Sequence, residues 1–338
     1  MSEFDSLLEE FEKTPVKTTV AGKKLTTTSA VNEIVNSIMN VIALNSGDVI
    51  AEMMIPKILE KIEKEIGLIP PRIEVKTDTQ TKIIEGVTHE MFKVVLDCVA
   101  NNVPVYLTGP AGSGKNVICK QVAEALGLSF YFTNCVTQEY KLTGFIDANG
   151  KYQKTQFYDA FVNGGLFFLD EMDASVPETL VNLNAAIANR YFDFPVGRLD
   201  AHPDFRVIAA GNTFGRGADI NYTGRYALDG ASMNRFAVVE IKYSPAIEKN
   251  LSGGDNELLD FVRAFRTATE KACVECICSY RTIEYITKLR DKITDKPMLL
   301  NMTLTKGMDQ DTRKMVSSNL KEIAGMEANA WAKAFAKI

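Results

Sequence analysis

The residues of this chain best suited to chemistry begin at Gly109. Gly109-Pro-Ala-Gly-Ser-Gly114-Lys115 fills the first seven positions of the pattern Gly-x-x-x-x-Gly-Lys-Ser/Thr. Glycines at this spacing let the backbone curl until successive N–H groups point at one anion. The N-terminus of a following helix adds favourable dipole charge. A lysine at the end of the loop reaches the terminal phosphates of a nucleotide as a point charge. The expected cradle is Gly109, Pro110, Ala111, Gly112, Ser113, Gly114, Lys115, Asn116 and Val117. One position departs from the pattern: Asn116 stands where a hydroxyl would meet Mg2+. An amide oxygen is also a hard ligand, so Asn116 could hold the ion directly or through water, on a longer side chain.

A second group of residues lies farther along. Leu166-Phe-Phe-Leu-Asp170-Glu171 is an apolar run that ends in two acids. Asp170 suits a carboxylate ligand to Mg2+, and Glu171 suits the base that orients and polarises an attacking water. The reaction class is ATP plus water to ADP plus phosphate.

These residues must be carried by elements that bring them together. VPVYLTG (103–109) reads as a short buried strand leading into the loop, and NVICKQVAEALG (116–127) as an amphipathic helix closed by Gly127. Further strands are expected in SFYFTN (129–134), GLFFLDE (165–171), RVIAAGN (206–212) and FAVVEI (236–241). Strands alternating with helices predict a mainly parallel sheet covered on both faces. After about residue 250 the strand signal stops, and Glu257–Lys271, Thr282–Lys292, Gln310–Ile323 and Glu327–Lys337 read as helices. The expected division is a flexible tail over 1–28, a helical segment over 29–79 that includes a short strand at Arg72–Lys76, a nucleotide-binding domain over 80–245 and an α-helical module over 246–338.

The run Gly164-Gly165-Leu-Phe-Phe-Leu-Asp-Glu-Met-Asp-Ala174, followed by Leu183-Asn-Ala-Ala-Ile-Ala-Asn-Arg190, resembles the AAA+ superfamily. More narrowly, it is similar to the branch that holds MoxR proteins, chelatase motor subunits and dynein-related ATPases. The resemblance implies a P-loop NTPase fold, a three-layer αβα core with a parallel five-stranded sheet, and a C-terminal helical lid. It places Asn212 as the polar residue that helps position the water, Arg235 as the finger that reaches a neighbouring subunit's γ-phosphate, and Arg281 as a lid contact to the nucleotide. Arg216 and Arg225 compete for the finger role. It also implies ATP and Mg2+ as ligands and a homo-oligomer, with six copies as the family expectation. A hairpin around Asp147–Gly150 is expected to face a substrate with Lys151, Tyr152, Lys154, Phe157 and Tyr158. A second turn is expected around Phe192–Gly197, with Arg190 beside it structural or interfacial.

Composition limits what the machine acts on. The chain has 338 residues and a formal net charge of -5, so it is a poor general nucleic-acid coat, although a local basic groove is compatible with it. No apolar run approaches the ~20 residues of a membrane span, and the acidic N-terminus lacks the order of a signal peptide. These features point to the cytoplasm and away from a membrane. Of the six cysteines, Cys273, Cys276 and Cys278 cluster without a convincing fourth zinc ligand and read as small apolar side chains on a packed helix. The leading expectation is a remodeller of an unknown protein partner. The alternatives are a nucleic-acid motor or loader of a phage or mobile element, and an ATP-dependent switch with slow turnover.

Overall fold

The computed structural model describes residues 72–76, 81–218 and 222–338, all within the unit Pro70–Ile338. The tail expected at 1–28 and the helices expected within 29–66 lie outside the described residues.

The first described elements are an antiparallel pair, β1 (Arg72–Lys76) and β2 (Thr81–Glu85). Helix α1 (Phe92–Ala100) follows and leads into β3 (Val105–Thr108). The loop and helix α2 (Lys115–Leu126) come next, then β4 (Phe130–Thr133). A short helix α3 (Tyr140–Thr143), the hairpin β5 (Phe145–Ile146) and β6 (Tyr152–Gln153), and α4 (Gln156–Asn163) separate β4 from β7 (Gly165–Leu169). Helix α5 (Pro177–Asn189), the hairpin β8 (Tyr191–Phe194) and β9 (Gly197–Asp200), β10 (Phe205–Ala210), α6 (Gly230–Met233) and β11 (Ala237–Glu240) complete this part.

Five strands form one parallel sheet in the order β11-β3-β10-β7-β4. Alternation along each strand sends side chains to two separate cores. Val105, Leu107, Leu166, Phe168, Ile208 and Ala210 face α1 and α2. Tyr106, Phe167, Leu169, Val207 and Ala209 face α4, α5 and the second hairpin. The second core is aromatic: Phe157 lies 5.1 Å from Phe167, 5.5 Å from Phe192 and 6.0 Å from Phe205, centroid to centroid. A sheet covered on both faces is what near-continuous apolar strands require.

A third core belongs to the C-terminal helices α7 (Pro245–Leu251), α8 (Asn256–Lys271), α9 (Tyr280–Leu289), α10 (Lys296–Leu300), α11 (Gln310–Lys321) and α12 (Ala330–Phe335). Trp331, Phe261 and Phe265 are buried at its centre. Helix α10 is not among the helices expected from the sequence, and it contains Pro297. The structure places this proline in the first turn, where its missing N–H costs nothing.

The cysteine cluster does not lie on a helix. Cys273, Cys276 and Cys278 occupy the connection between α8 and α9, with Cys273 exposed and Cys278 in the third core. Among the described residues no group of His, Cys, Asp and Glu is arranged to hold a metal by itself. No described helix is long and apolar enough to cross a membrane.

Candidate functional site

Register brings the candidate residues to one edge of the sheet. Ala210 pairs with Leu107 and Ala209 with Leu169, so Gly109, Asp170, Glu171 and Asn212 all leave their strands at the carboxyl end. Ligands of open parallel sheets bind at that edge.

The loop follows β3 directly. Gly109 has φ 141°, and a Cβ there would sit 2.1 Å from the carbonyl oxygen of Ile241. Gly112 lies close to the lid: a Cβ would meet the Ser279 side chain at 2.8 Å. Lys115 opens α2 and is nearly buried. Its ammonium donates to the carbonyls of Gly109 (2.8 Å) and Pro110 (3.1 Å) and to Oδ1 of Asn212 (3.0 Å). Burial lowers its pKa to about 8, against the pull of Asp170 and Asp173 in the opposite direction. The backbone of Ala111 is held from two sides: its N–H donates to the Tyr222 hydroxyl (2.8 Å), and its carbonyl accepts from Tyr243 (3.0 Å). Ser113 is buried, and its hydroxyl has no partner among the described residues. Val117, one turn into α2, is exposed.

The acids stand opposite this loop. Asp170 accepts from Asn116 Nδ2 on one oxygen (3.0 Å) and from the Glu171 N–H on the other (3.0 Å). Asn116, on its exposed face, therefore touches the expected metal carboxylate. The donors here are the carboxylate of Asp170 and the amide oxygen of Asn116. An oxygen set of one or two protein ligands is what Mg2+ takes when substrate phosphates and water supply the rest, so the residues fit that ion. Glu171 is left-handed at φ 51° and ψ 43°, and its Oε1 accepts from Arg225 Nη2 at 3.3 Å.

The sequence reading missed Asp173. It is wholly buried, and its Oδ2 accepts from the Asn212 N–H, the Thr213 N–H and the Thr213 hydroxyl, each at 2.9 Å. Its Oδ1 lies 3.5 Å from Arg225 Nη1. Tyr106 and Thr108 both donate to the Thr213 carbonyl at 2.9 Å, which locks the turn after β10 from below. Burial, with Asp173 acting in the same direction, holds the Tyr106 phenol far above its ordinary pKa. The one signal for Asp173 in the sequence was an acid two residues after an acidic pair.

The remaining candidates separate. Arg281 stands near the start of α9, exposed, beside Ser279 and Tyr280, which lie against Gly112 and Gly114. Arg235 lies at the opposite edge of the sheet. It comes two residues before Ala237, which pairs with the first residue of β3, so at least the length of β3, roughly 13 Å, separates it from Gly109. It borders a cleft of about 230 Å3 with Pro104, Ile187 and Arg190. Arg225 is turned inward onto Glu171 and Asp173 with only 12% of its side chain exposed, whereas Arg216 is exposed and bridges Ala227 through the backbone. Arg190 is structural, donating to the carbonyls of Phe205 and His202.

The first hairpin is present with Lys151 and Lys154 exposed as expected, but its expected aromatics are engaged within the chain. Phe157 is core, Tyr152 donates to the Thr143 carbonyl, Tyr158 packs on Phe194 and Lys154 is paired with Asp159. Phe145 and Ile146 are exposed on it instead, beside Tyr140.

Sheet order, loop and acids define a P-loop nucleotide-binding α/β domain with a helical module after it. Residues 104–223 match the family model of the AAA domain, dynein-related subfamily. The chain is similar to uncharacterized staphylococcal proteins. The protein of Staphylococcus epidermidis strain RP62A is 32% identical over 155 residues, which cover 42% of this chain and 56% of that one. The Staphylococcus saprophyticus protein is 30% identical over 156 residues, with the same coverage. The matched segment thus spans only 56% of the length of these curated relatives. Among solved structures, NtrX from Brucella abortus in complex with ATP aligns with 85% of this chain and 72% of that one, at 15% identity and a TM-score of 0.46.

Proposed function

We propose that this protein hydrolyses ATP in an assembly of several copies and uses the cycle to remodel a protein partner. The observation that carries this reading is the split of the site. Lys115, Asn116, Asp170, Glu171 and Asn212 gather at the carboxyl edge of the sheet, while Arg235 stands at the other edge. A site so divided is completed when a second copy brings its Arg235 to the first copy's nucleotide, where a guanidinium stabilises transition-state charge.

The roles follow from position. The loop N–H groups and the α2 terminus hold the β- and γ-phosphates. Lys115 exchanges its contacts with the Gly109 and Pro110 carbonyls for phosphate oxygens. Asp170, with Asn116 beside it, would hold Mg2+, which neutralises charge on the β- and γ-phosphates when bound. Glu171 takes a proton from water as the water oxygen bonds to the γ-phosphorus and the bond to the β-phosphate oxygen breaks. Asn212 orients that water. Arg281 and Ser279 sit on the lid against the loop, so loss of the γ-phosphate can be felt as a change of lid angle.

The hairpin supports a protein partner over nucleic acid. Its exposed apolar Phe145 and Ile146 suit an extended polypeptide, and of its two exposed lysines, Lys151 and Lys154, the second is paired with Asp159. One observation favours slow turnover instead: the Asn116 amide donates into Asp170 and competes with a cation for that carboxylate.

The test is mass by light scattering with ATP and Mg2+, paired with ATP turnover, on the wild type and Glu171→Gln. An assembly that hydrolyses ATP only in the wild type supports the reading. A monomer that binds ATP without turnover, with or without added DNA, sinks it. Turnover stimulated by DNA and steeply lost with salt would replace the protein partner with nucleic acid.

A further inference from the structure

Glu171 does not stand alone. Arg225 places Nη2 at 3.3 Å from Glu171 Oε1 and Nη1 at 3.5 Å from Asp173 Oδ1, so one planar guanidinium spans two carboxylates. Its side chain is 12% exposed and Asp173 is fully buried, so the three charges form a partly desolvated group. The backbone around Arg225 is also held. The Tyr226 N–H donates to the Asp173 carbonyl at 2.7 Å, the Leu228 N–H donates to the Gly215 carbonyl at 2.8 Å, and Ala227 bridges Arg216. The other oxygen of Asp173 carries Asn212 and Thr213. Arg225, Asp173, Asn212 and Glu171 are therefore one connected unit within a single subunit.

We infer that Arg225 is a positioning residue acting in cis: it holds one oxygen of Glu171 and leaves the other to accept the proton of the attacking water. The inference rests on the ATPase reading above. A glutamate side chain at the end of a strand samples many rotamers. A charged hydrogen bond from a fixed guanidinium selects one of them before the nucleotide arrives, so no reorganisation is needed at the moment of reaction. The left-handed backbone at Glu171 serves the same end, because a sparsely populated conformation persists only where surrounding contacts hold it. Arg225 thus has a place opposite to that of Arg235, which stands at the other end of the sheet from its own subunit's site and donates to the Ala231 carbonyl.

Subunit mixing tests this. Arg225→Ala and Arg225→Lys are compared with the wild type for kcat and for ATP affinity. Arg225→Ala is then mixed with Glu171→Gln, with Arg235→Ala plus Glu171→Gln as the reference pair. The expected result for Arg225→Ala is a loss of kcat of about 10- to 100-fold with ATP affinity changed less than about twofold. Arg225→Lys keeps the charge with a single donor group, and it recovers part of the loss. Mixing Arg225→Ala with Glu171→Gln restores nothing, since no site in the hybrid has both residues, whereas the reference pair regains turnover. Rescue of Arg225→Ala by Glu171→Gln subunits would make Arg225 a finger in trans and overturn the inference. An unchanged kcat in Arg225→Ala overturns it as well. If the wild type itself has no turnover, the ATPase reading fails, and this inference fails with it.

Discussion

Replacing Asp173 by alanine tests the physical account of the site. Its buried carboxylate accepts two backbone N–H groups and one hydroxyl at 2.9 Å each and faces Arg225 at 3.5 Å. Truncation leaves three donors unpaired beside a small cavity and takes one of two carboxylates from Arg225. An unpaired buried donor costs about 1–3 kcal/mol, and the losses do not add fully, because donors on one turn relax together. Removing one partner of a buried ion pair costs about 3–5 kcal/mol. We expect about 4 kcal/mol, which in a domain of this size lowers Tm by roughly 8 °C at about 2 °C per kcal/mol. Asp173→Asn keeps one acceptor oxygen but turns an amide donor toward either Arg225 or Thr213, so its loss should be about half as large. The assay is thermal unfolding followed by circular dichroism and by intrinsic fluorescence, with coincident transitions required before a free energy is assigned. A Tm of Asp173→Ala within about 2 °C of the wild type would refute the reasoning. Turnover at the wild-type rate in a folded Asp173→Ala protein would separately refute the claim that Asp173 sets the place of Asn212.

Four further outcomes follow from the geometry. Asn116→Ala removes the amide beside Asp170 and should raise the Mg2+ concentration needed for turnover more than it weakens ATP binding; equal losses in a titration of both ligands would contradict this. Gly109→Ala sets a Cβ 2.1 Å from the Ile241 carbonyl oxygen at a φ of 141°, and should cost about 3 kcal/mol or more and abolish nucleotide binding, read from a urea midpoint and an equilibrium titration. The half-buried thiol of Cys276 and the buried thiol of Cys278 make stability fall at alkaline pH. Burial pushes Cys276 up to about 11 and Cys278 up to about 12 from an ordinary 9.0, so above that value the unfolded chain has lost protons that the folded chain keeps. Their contribution is complete below pH 9.0 and is lost progressively from there until pH passes the folded values, at most about 1.4 kcal/mol per thiol by pH 10. Urea midpoints at pH 8 and pH 10 should diverge less in Cys276→Ala/Cys278→Ala, and an identical divergence would count against it. Exposed Cys273 should be alkylated first in the folded protein.

The parts of this protein legible in its sequence are those governed by neighbours along the chain. A strand such as Leu166–Leu169 announces itself because burial on both faces demands an unbroken apolar run. The glycine loop before α2 is legible because only glycine tolerates the backbone at Gly109. Asp170 and Glu171 follow from the end of their strand, and Asn212 from the end of another. What only the tertiary structure decided depends on residues far apart in sequence. The insertion of β10 between β3 and β7 brings Asn212 to Lys115, a pairing across 97 positions. Asp173 looks like any acid after a strand until the fold buries it beneath the turn it supports. Arg225 and Arg216 rival Arg235 in a string of letters, because a charged side chain costs the local chain nothing in any direction. Burial decides among them: it turns Arg225 inward to two carboxylates, while strand direction sends Arg235 to the far edge. On the hairpin the turn residues Asp147–Gly150 marked the right turn, but the aromatics after it were expected at the surface. Phe157 fills the core and Phe145 faces out because helix α4, not the hairpin, owns Phe157.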